Sequence, residues 1–520
     1  MSLDDRTPDA ANPEKSTAAT STAAAPTAPP PASVNLVIVL LLVATFVMIL
    51  NETIMSVAIP VLMVDLEITA STAQWLTTAF MLTMAVVIPT TGFLLQRFST
   101  RAVFIAAMSL FTAGTLLAAV SPGFGILVIG RVIQASGTAV MIPLMITTVL
   151  TFIPENRRGT IMGFISIVIA VAPATGPTIS GAILDHLDWR WMFYFMLPIA
   201  VVALILGIVL VRNITTPRKA PFDIASVLLS VVAFAGLIYG LNSIGEAATG
   251  DTAVPPWLPI VVGVVGLALF VWRQISLQAT ESALLDLRPF KTRTFTVGII
   301  ILLVAMAALF GAIMLLPLFM QNVWHASTMQ TGLVLLPGGL VMGLIAPFVG
   351  ALYDKVGPRP LVTPGAILVT IALILLTTLN AEPATSEFWM FTDQEWKVVG
   401  IHVLLSLGLG SMMTPLMTSA LGSVPPMMYS HASAIQNTLQ QLAGAAGTAL
   451  FITVMTRGMT AEINDGVDPV QAQAHGIHQA FYWGAGFAVL AVVLSLLVRR
   501  PPRTDDVEEV VDASAPATMH

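Results

Sequence analysis

The 520-residue sequence contains no cysteine, and charged residues make up only 10% of it. A secreted scaffold held together by disulfides is therefore excluded. Soluble domains carry about 25% charged residues, so this chain has too few to cover a water-facing surface of its size. The net charge of −6 and the lack of any Lys/Arg stripe also argue against nucleic acid as a partner.

Apolar residues, in contrast, make up 56% of the chain, and the mean hydropathy is +0.88. They form long unbroken runs, for example at 36–50, 201–211 and 299–320. A helix of about 20 apolar residues crosses the hydrocarbon core of a bilayer and satisfies its own backbone groups there. The sequence therefore predicts an all-α polytopic membrane protein.

We predict fourteen membrane spans, and most of their connections are too short to hold a soluble domain. Their approximate limits are 36–62, 73–96, 102–121, 124–150, 160–184, 190–212, 222–244, 256–274, 294–321, 328–353, 360–380, 397–421, 431–456 and 477–498. The first 33 residues hold almost no large apolar side chains, and the last 20 are acidic, so we expect both tails to be disordered.

The placement of basic residues supports this number of spans. If both tails are cytoplasmic, the outer connections contain only Arg190, Lys397 and Arg457, and Arg131 lies within a span. The remaining 18 of the 22 Lys and Arg residues are then at the inner side. This asymmetry is what the positive-inside rule requires, and an odd number of spans would destroy it. We therefore expect both termini in the cytoplasm.

An internal repeat indicates two matched halves. Residues 92–101 and 350–359 each begin with glycine, continue with apolar residues and end in a basic turn. Each segment occupies the second connection of a six-helix set when the sets are spans 1–6 and 9–14. Repeated bundles are typical of secondary transporters, whose substrate site lies between them near mid-membrane.

This arrangement divides the chain into five parts. They are a disordered cytoplasmic tail (1–33), a first six-helix bundle (34–213), an inserted two-helix hairpin (214–275), a second six-helix bundle with its linker (276–500) and a second disordered cytoplasmic tail (501–520).

Two charged residues within spans are the main candidates for coupling to protons. Glu52 follows Asn51 in span 1, and Arg131 lies in span 4. Counted at 1.5 Å per residue, Glu52 and Arg131 lie at comparable depths and can meet across the first bundle. Charges inside a membrane are expensive and usually functional. The alternative is a static ion pair that only fixes the packing of the helices.

Two further segments carry unusual residues for a membrane span. Pro173 and Pro177 in span 5 each remove a backbone hydrogen bond, and the small residues around them permit close approach of a neighbouring helix. This segment is either a contact between the bundles or an ordinary Pro/Gly kink. Span 13 carries four amides: Gln436, Asn437, Gln440 and Gln441. They line a pocket or bond neighbouring helices, and both interpretations remain open.

The predicted substrate-contacting residues combine these polar groups with Gln134, one turn from Arg131. They are Asn51, Glu52, Gln134, Asn437, Gln440 and Gln441. The histidines show no metal-ligand spacing, and no Gly-rich loop with its Lys is present to bind ATP. We therefore expect no metal and no cofactor.

Several motifs resemble those of the major facilitator superfamily, and their order resembles its fourteen-span drug:proton antiporter family (EmrB/QacA-like), nearest to the lincomycin-exporter-type branch. Residues 50–60 are similar to that family's first-span motif, with Asn51 where Asp is usual and the acid at Glu52. Residues 131–137 resemble its span-4 motif. Residues 172–181 resemble its antiporter motif, which the family associates with exporters. The matching positions of that motif are Pro173, Gly176, Pro177 and Gly181.

The repeated turns resemble the superfamily's cytoplasmic gating motif. Its matching positions are Gly92, Arg97 and Arg101 in the first copy and Gly350, Asp354, Lys355, Gly357 and Arg359 in the second. In the first copy Gln96 replaces the usual Asp and Ser99 the usual Gly, so we expect a weaker charge lock there.

The resemblance implies a major facilitator fold with two six-helix bundles and an inserted helix pair. It further implies a monomeric, proton-driven exporter of amphipathic or cationic small molecules in a bacterial plasma membrane, whose energy source is the proton gradient. Export of an endogenous solute, such as a lipid, an amino acid or a siderophore, is the first alternative. A membrane enzyme or a sensor is the second, but neither a clustered nucleophile nor a soluble output domain is visible in the sequence.

Overall fold

The computed structural model describes residues 31–184, 186–211, 213, 223–247, 254–382, 387–388 and 391–498. The second predicted tail, and all but the last three residues of the first, lie outside these ranges. Nearly all described residues are helical. The exception with regular structure is a two-stranded antiparallel ladder between β1 (Glu387–Phe388) and β2 (Phe391–Thr392).

The first six helices follow one another through short turns. They are α1 (Pro31–Asp65), α2 (Ala70–Arg97), α3 (Thr100–Ala119), α4 (Phe124–Phe152), α5 (Glu155–Leu184) and α6 (Trp191–Leu210). Side-chain caps begin two of them: the hydroxyl of Thr69 accepts from the backbone N–H of Thr72, and that of Ser99 accepts from Ala102.

A helical hairpin follows. Its first arm consists of α7 (Ile224–Ser230) and α8 (Gly236–Ala247), joined by a π-helical turn at Val231–Ala235, and its second arm is α9 (Trp257–Gln278). Asp223 caps α7 and pairs with Arg273 of α9. The hydrogen bond from Arg273 lowers the pKa of Asp223 to about 2.

The last six helices form the second group. They are α10 (Arg293–Leu318), α11 (Thr328–Val356), α12 (Arg359–Leu376), α13 (Asp393–Gly422), α14 (Tyr429–Asn464) and α15 (Pro469–Ser495). A capping box between Thr392 and Glu395 begins α13. Gly357 ends α11 with φ 83°, a left-handed conformation that glycine adopts without strain.

In the described ranges, 13 helical segments are long and apolar enough to cross a membrane. With 30 residues, α5 has a length of about 45 Å, which is enough to span as well. Counting α7 and α8 as one, the helices thus match the predicted order of fourteen spans. The predicted all-α membrane fold is confirmed.

Two interfaces join the helix groups. The first packs α5 against α11 and α13, and the second packs α14 against α2 and α4. The helical hairpin also packs against α2 and α14. Contacts from Gln96 to Met427, from Tyr429 to Arg158 and from Gly159 to Asp354 place the turns at 98–99 and 357–358 at the same end of the molecule, which we call the motif end.

Candidate functional site

Arg131 is the centre of a buried polar network in the first helix group. Its side chain is fully buried in α4, and its Nη1 donates to Oδ1 of Asn51 at 2.9 Å and to Oε1 of Gln134 at 3.2 Å. The guanidinium carbon lies 4.1 Å from the centroid of the Phe80 ring on α2, a cation–π geometry. Residues of α1, α2 and α4 thus hold one cation in place.

A second layer of hydrogen bonds supports Gln134 from α3. Its Nε2 donates to Oγ1 of Thr115 at 2.8 Å, and Thr115 in turn donates to the carbonyl of Phe111 at 2.7 Å. The two helices can approach because Gly114 lies directly against α4: an added Cβ there would lie 2.6 Å from the backbone N of Gln134. Sequence reasoning missed both Thr115 and Phe80.

Glu52 lies beside this network without being its direct partner. Its side chain is partly exposed, and in the described part of the chain it makes no hydrogen bond or ion pair. It is close enough to Arg131 for an electrostatic interaction. Two nitrogens of Arg131, Nε and Nη2, have no hydrogen-bond partner among the described residues. Asn51 therefore positions the guanidinium with a neutral group, whereas Glu52 can offer it a negative charge when ionised.

Thr115→Val should lower the free energy of unfolding by about 1–3 kcal/mol, because it leaves the buried Nε2 of Gln134 without a partner. Thr112→Val is the matched control on the same helix, since the hydroxyl of Thr112 has no partner in the part of the chain that the structure describes. Denaturant unfolding of the two purified variants measures the difference. Equal stability of both variants would show that the Thr115 bond contributes nothing.

The antiporter-motif residues lie where α5 meets α1. An added Cβ at Gly176 would lie 2.2 Å from Oγ1 of Thr53, the residue after Glu52. Ser180 donates to the carbonyl of Ile54 at 3.2 Å. Pro173 is half-buried, whereas the side chain of Pro177 lies outside the described residues. The contact at Gly176 thus fixes α5 next to the Glu52 turn of α1.

The amides of α14 divide between two environments. Gln440 and Gln441 are half-buried at mid-helix. Asn437 is buried and donates to the carbonyl of Ser433 on its own helix at 2.9 Å. Gln436 is fully buried, and neither atom of its amide has a partner in the described structure. The structure thus leaves Gln440 and Gln441 as the accessible amides.

The second copy of the gating motif joins the two helix groups at the motif end. Asp354 of α11 accepts from the backbone N of Gly159 at 2.8 Å, from the backbone N of Thr160 at 2.9 Å and from its hydroxyl at 2.8 Å. An added Cβ at Gly350 would lie 2.0 Å from the carbonyl oxygen of Gly159. The exposed Lys355 and Arg359 flank this contact.

The first copy makes a smaller contact with α14. Gln96, which stands where the second copy has Asp354, donates to the carbonyl of Met427 at 3.0 Å. An added Cβ at Gly92 would lie 2.6 Å from Nδ1 of His431. Arg101 donates to the carbonyl of Ile208 at the end of α6 at 2.7 Å, and Arg97 is half-buried.

The contact between α5 and α11 continues beyond the motif end. Gly163 packs against the backbone of Ala346, and Gly343 packs against Val171. Further along, an added Cβ at Gly181 or Gly332 would meet no described atom within 4 Å. The two helix groups are therefore closed against each other at the motif end, whereas Gly181 and Gly332 face open space among the described residues.

No group of three or more His, Asp or Glu side chains in the described ranges has the spacing to hold a metal ion.

The chain is similar in sequence to one protein family and to several known resistance proteins. The family model described as Major Facilitator Superfamily matches residues 41–448. Lincomycin resistance protein LmrB from Listeria monocytogenes is 41% identical over 464 residues, which cover 88% of this chain and 95% of that protein. Multidrug resistance protein B homolog from Mycobacterium tuberculosis is 30% identical over 410 residues, which cover 78% and 73%.

One solved structure has the same fold. The human organic anion transporter MFSD10 aligns with a TM-score of 0.59 and 14% sequence identity, covering 90% of this chain and 100% of that one. At this identity the likeness concerns the fold alone.

Proposed function

The chain belongs to the major facilitator superfamily, and we propose that it is a proton-coupled antiporter that exports amphipathic or cationic small molecules by alternating access. Membership makes it a multi-pass membrane transporter rather than an enzyme. Within the superfamily we assign it to the fourteen-span drug:proton antiporters. The order of its motifs and its similarity to a lincomycin resistance protein support this assignment.

The observation that carries the proposal is the state of Glu52. Glu52 is half-buried at mid-helix, and its carboxyl group has no hydrogen-bond partner in the described ranges and lies beside a buried, fixed guanidinium. Such a group can gain and lose a proton without breaking a structural bond. Loss of the proton creates a negative charge that Arg131 or a cationic substrate can neutralise, so protons and substrate compete for the same charge.

The transport cycle follows from this competition. When the site faces outward, protonation of Glu52 removes the charge that holds a cationic substrate, and the substrate leaves. When the site faces the cytoplasm, Glu52 loses its proton and a new substrate binds. The bonds of Asp354 to α5 close the motif end in the outward-facing state and must break in the other.

We further place the motif end and both termini in the cytoplasm, and the protein as a monomer in a bacterial plasma membrane. The basic residues of the turns and the bacterial sources of its relatives support this placement. The proton gradient is the energy source, and the partners are the substrate, protons and the lipid bilayer. No cofactor takes part in the cycle.

Purified protein in sealed vesicles tests the function directly. A pH gradient is imposed, and uptake of lincomycin and of a cationic dye is measured against the same vesicles without a gradient. We expect gradient-dependent accumulation of at least one of the two and none in empty vesicles. Accumulation of neither, together with altered metabolite secretion after deletion of the gene, would instead assign the machinery to an endogenous solute.

A further inference from the structure

The helical hairpin has no role in the transport cycle proposed above, yet its helices pack closely. Its two arms approach closely, since an added Cβ at Gly236 would lie 2.9 Å from Cα of Gly263. It lies against α2 of the first helix group and α14 of the second. Its contact with α2 includes a stack of Trp75 on Tyr239, whose ring centroids are 6.1 Å apart.

The end of the hairpin near Gln274 is joined by polar contacts to the segment that follows it. Gln274 of α9 is fully buried, and its Nε2 donates to the hydroxyl of Ser226 on α7 at 2.7 Å. Its Oε1 accepts from the backbone N of Leu285 at 3.0 Å. A single amide thus connects both arms to the return segment, which we define as residues 282–288.

The return segment then reaches α14. The backbone N of Asp286 donates to Nδ1 of the buried His431 at 3.2 Å. The carboxylate of Asp286 accepts from Nε of Arg288 at 2.7 Å and from its backbone N at 2.9 Å, which fixes the turn. His431 belongs to the first turn of α14, and its ring lies against Gly92 of the first gating motif.

We propose that the helical hairpin is part of the gate at the motif end, because its return segment holds the His431 ring in the position against which α2 closes. The return segment contacts the second helix group through the hydrogen bond from the backbone N of Asp286 to the buried His431. The hairpin contacts α2 through the stacked rings of Trp75 and Tyr239, and α2 contacts His431 through Gly92. When the motif end opens, α2 must leave His431, and the hairpin stays with α14. Asp286 and Gln274 are therefore positioning residues that act through His431.

The absence of cysteine from the chain allows a direct test with two introduced cysteines. Phe98 and Met427 are exposed on opposite sides of this contact, each 48% accessible. Spin labels on Phe98→Cys and Met427→Cys report the opening of the gate by pulsed electron paramagnetic resonance in lipid nanodiscs. The measurement requires neither a substrate nor a proton gradient.

Gln274→Leu removes both hydrogen bonds of the amide and replaces it with a side chain of similar volume. We expect this variant to show at least twice the parental fraction of molecules with a long distance between the labels. Gln278→Leu makes the same change one turn later on α9, at a half-buried position, and should leave the distribution unchanged. As a second test, His431→Phe keeps a ring without an acceptor and should open the gate. His431→Asn keeps an acceptor and should not.

The inference rests on the rocking motion of the proposed function, so Asp354→Asn serves as the reference for opening. If Asp354→Asn lengthens the distance while Gln274→Leu and His431→Phe behave like Gln278→Leu, the role of the hairpin is wrong and the transport cycle stands. If no variant, Asp354→Asn included, changes the distance, the rocking motion at the motif end is wrong, and this inference falls with it.

Discussion

Glu52→Gln should reduce proton-driven export to the level of empty vesicles and leave the protein folded. Glutamine has nearly the same shape but cannot ionise, so the site remains in its protonated form and substrate no longer has a charge to bind. In the described part of the chain Glu52 makes no hydrogen bond or ion pair, so its replacement leaves no bonded partner behind. The stability of the fold should therefore change little.

Uptake into sealed vesicles with an imposed pH gradient measures this effect, and a thermal unfolding curve of the same preparation verifies the fold. Glu67→Gln is the matched control, because it makes the same substitution at an exposed position just beyond the end of α1. We expect it to retain the parental rate. Full-rate export against a gradient by Glu52→Gln would remove Glu52 from the coupling mechanism.

Much of the fold could be predicted because a bilayer imposes strong constraints on sequence. A long apolar run inside the bilayer must be a helix. Turns rich in Lys and Arg must alternate along the chain with turns that contain few of them. The ends of the helices were less predictable: the predicted span 36–62 is the helix Pro31–Asp65. The ladder of Glu387–Phe388 with Phe391–Thr392 was not predicted, because two-residue strands show no alternating pattern.

The candidate site was predictable only where a polar group stands out against an apolar background. Asn51, Arg131 and Gln134 stand out in this way, and the structure brings them together. Thr115 and Phe80 do not, because Thr and Phe are common in membrane helices and only the tertiary packing places them at Arg131.

The polar face of α14 illustrates a second limit. The three- and four-residue spacing places Asn437, Gln441 and Gly444 along one face, but spacing does not indicate which neighbour that face meets. In the structure an added Cβ at Gly444 would lie 3.0 Å from the Phe310 ring, so part of the face packs against α10. Asn437 bonds within its own helix. Helix periodicity therefore identifies a face but not its environment.

Gly350→Ala should abolish the closed arrangement of the motif end. The added Cβ would lie 2.0 Å from the carbonyl oxygen of Gly159 and 2.7 Å from its carbonyl carbon. These are backbone atoms, so the overlap is relieved only if α5 and α11 move apart. The three bonds from Gly159 and Thr160 to Asp354 then lengthen or break. Overpacking of this kind amounts to about 1–3 kcal/mol, which shifts an equilibrium between two states roughly 5- to 150-fold.

Gly332→Ala provides the matched control, since it makes the same substitution on the same helix where no described atom lies within 4 Å of the added Cβ. Alanine is favoured over glycine in a helix by about 0.5–1 kcal/mol, so this variant should be as stable as the parent or slightly more so. Spin labels at the exposed Arg157 and Leu352 report the separation of α5 from α11. We expect a long distance to predominate in Gly350→Ala and the parental distance in Gly332→Ala.

Because opening of the motif end removes the outward-facing state from the cycle, export by Gly350→Ala should fall in proportion to the lost closed population. Identical distances in the two variants would mean that the contact between Gly159 and Gly350 does not hold the bundles together.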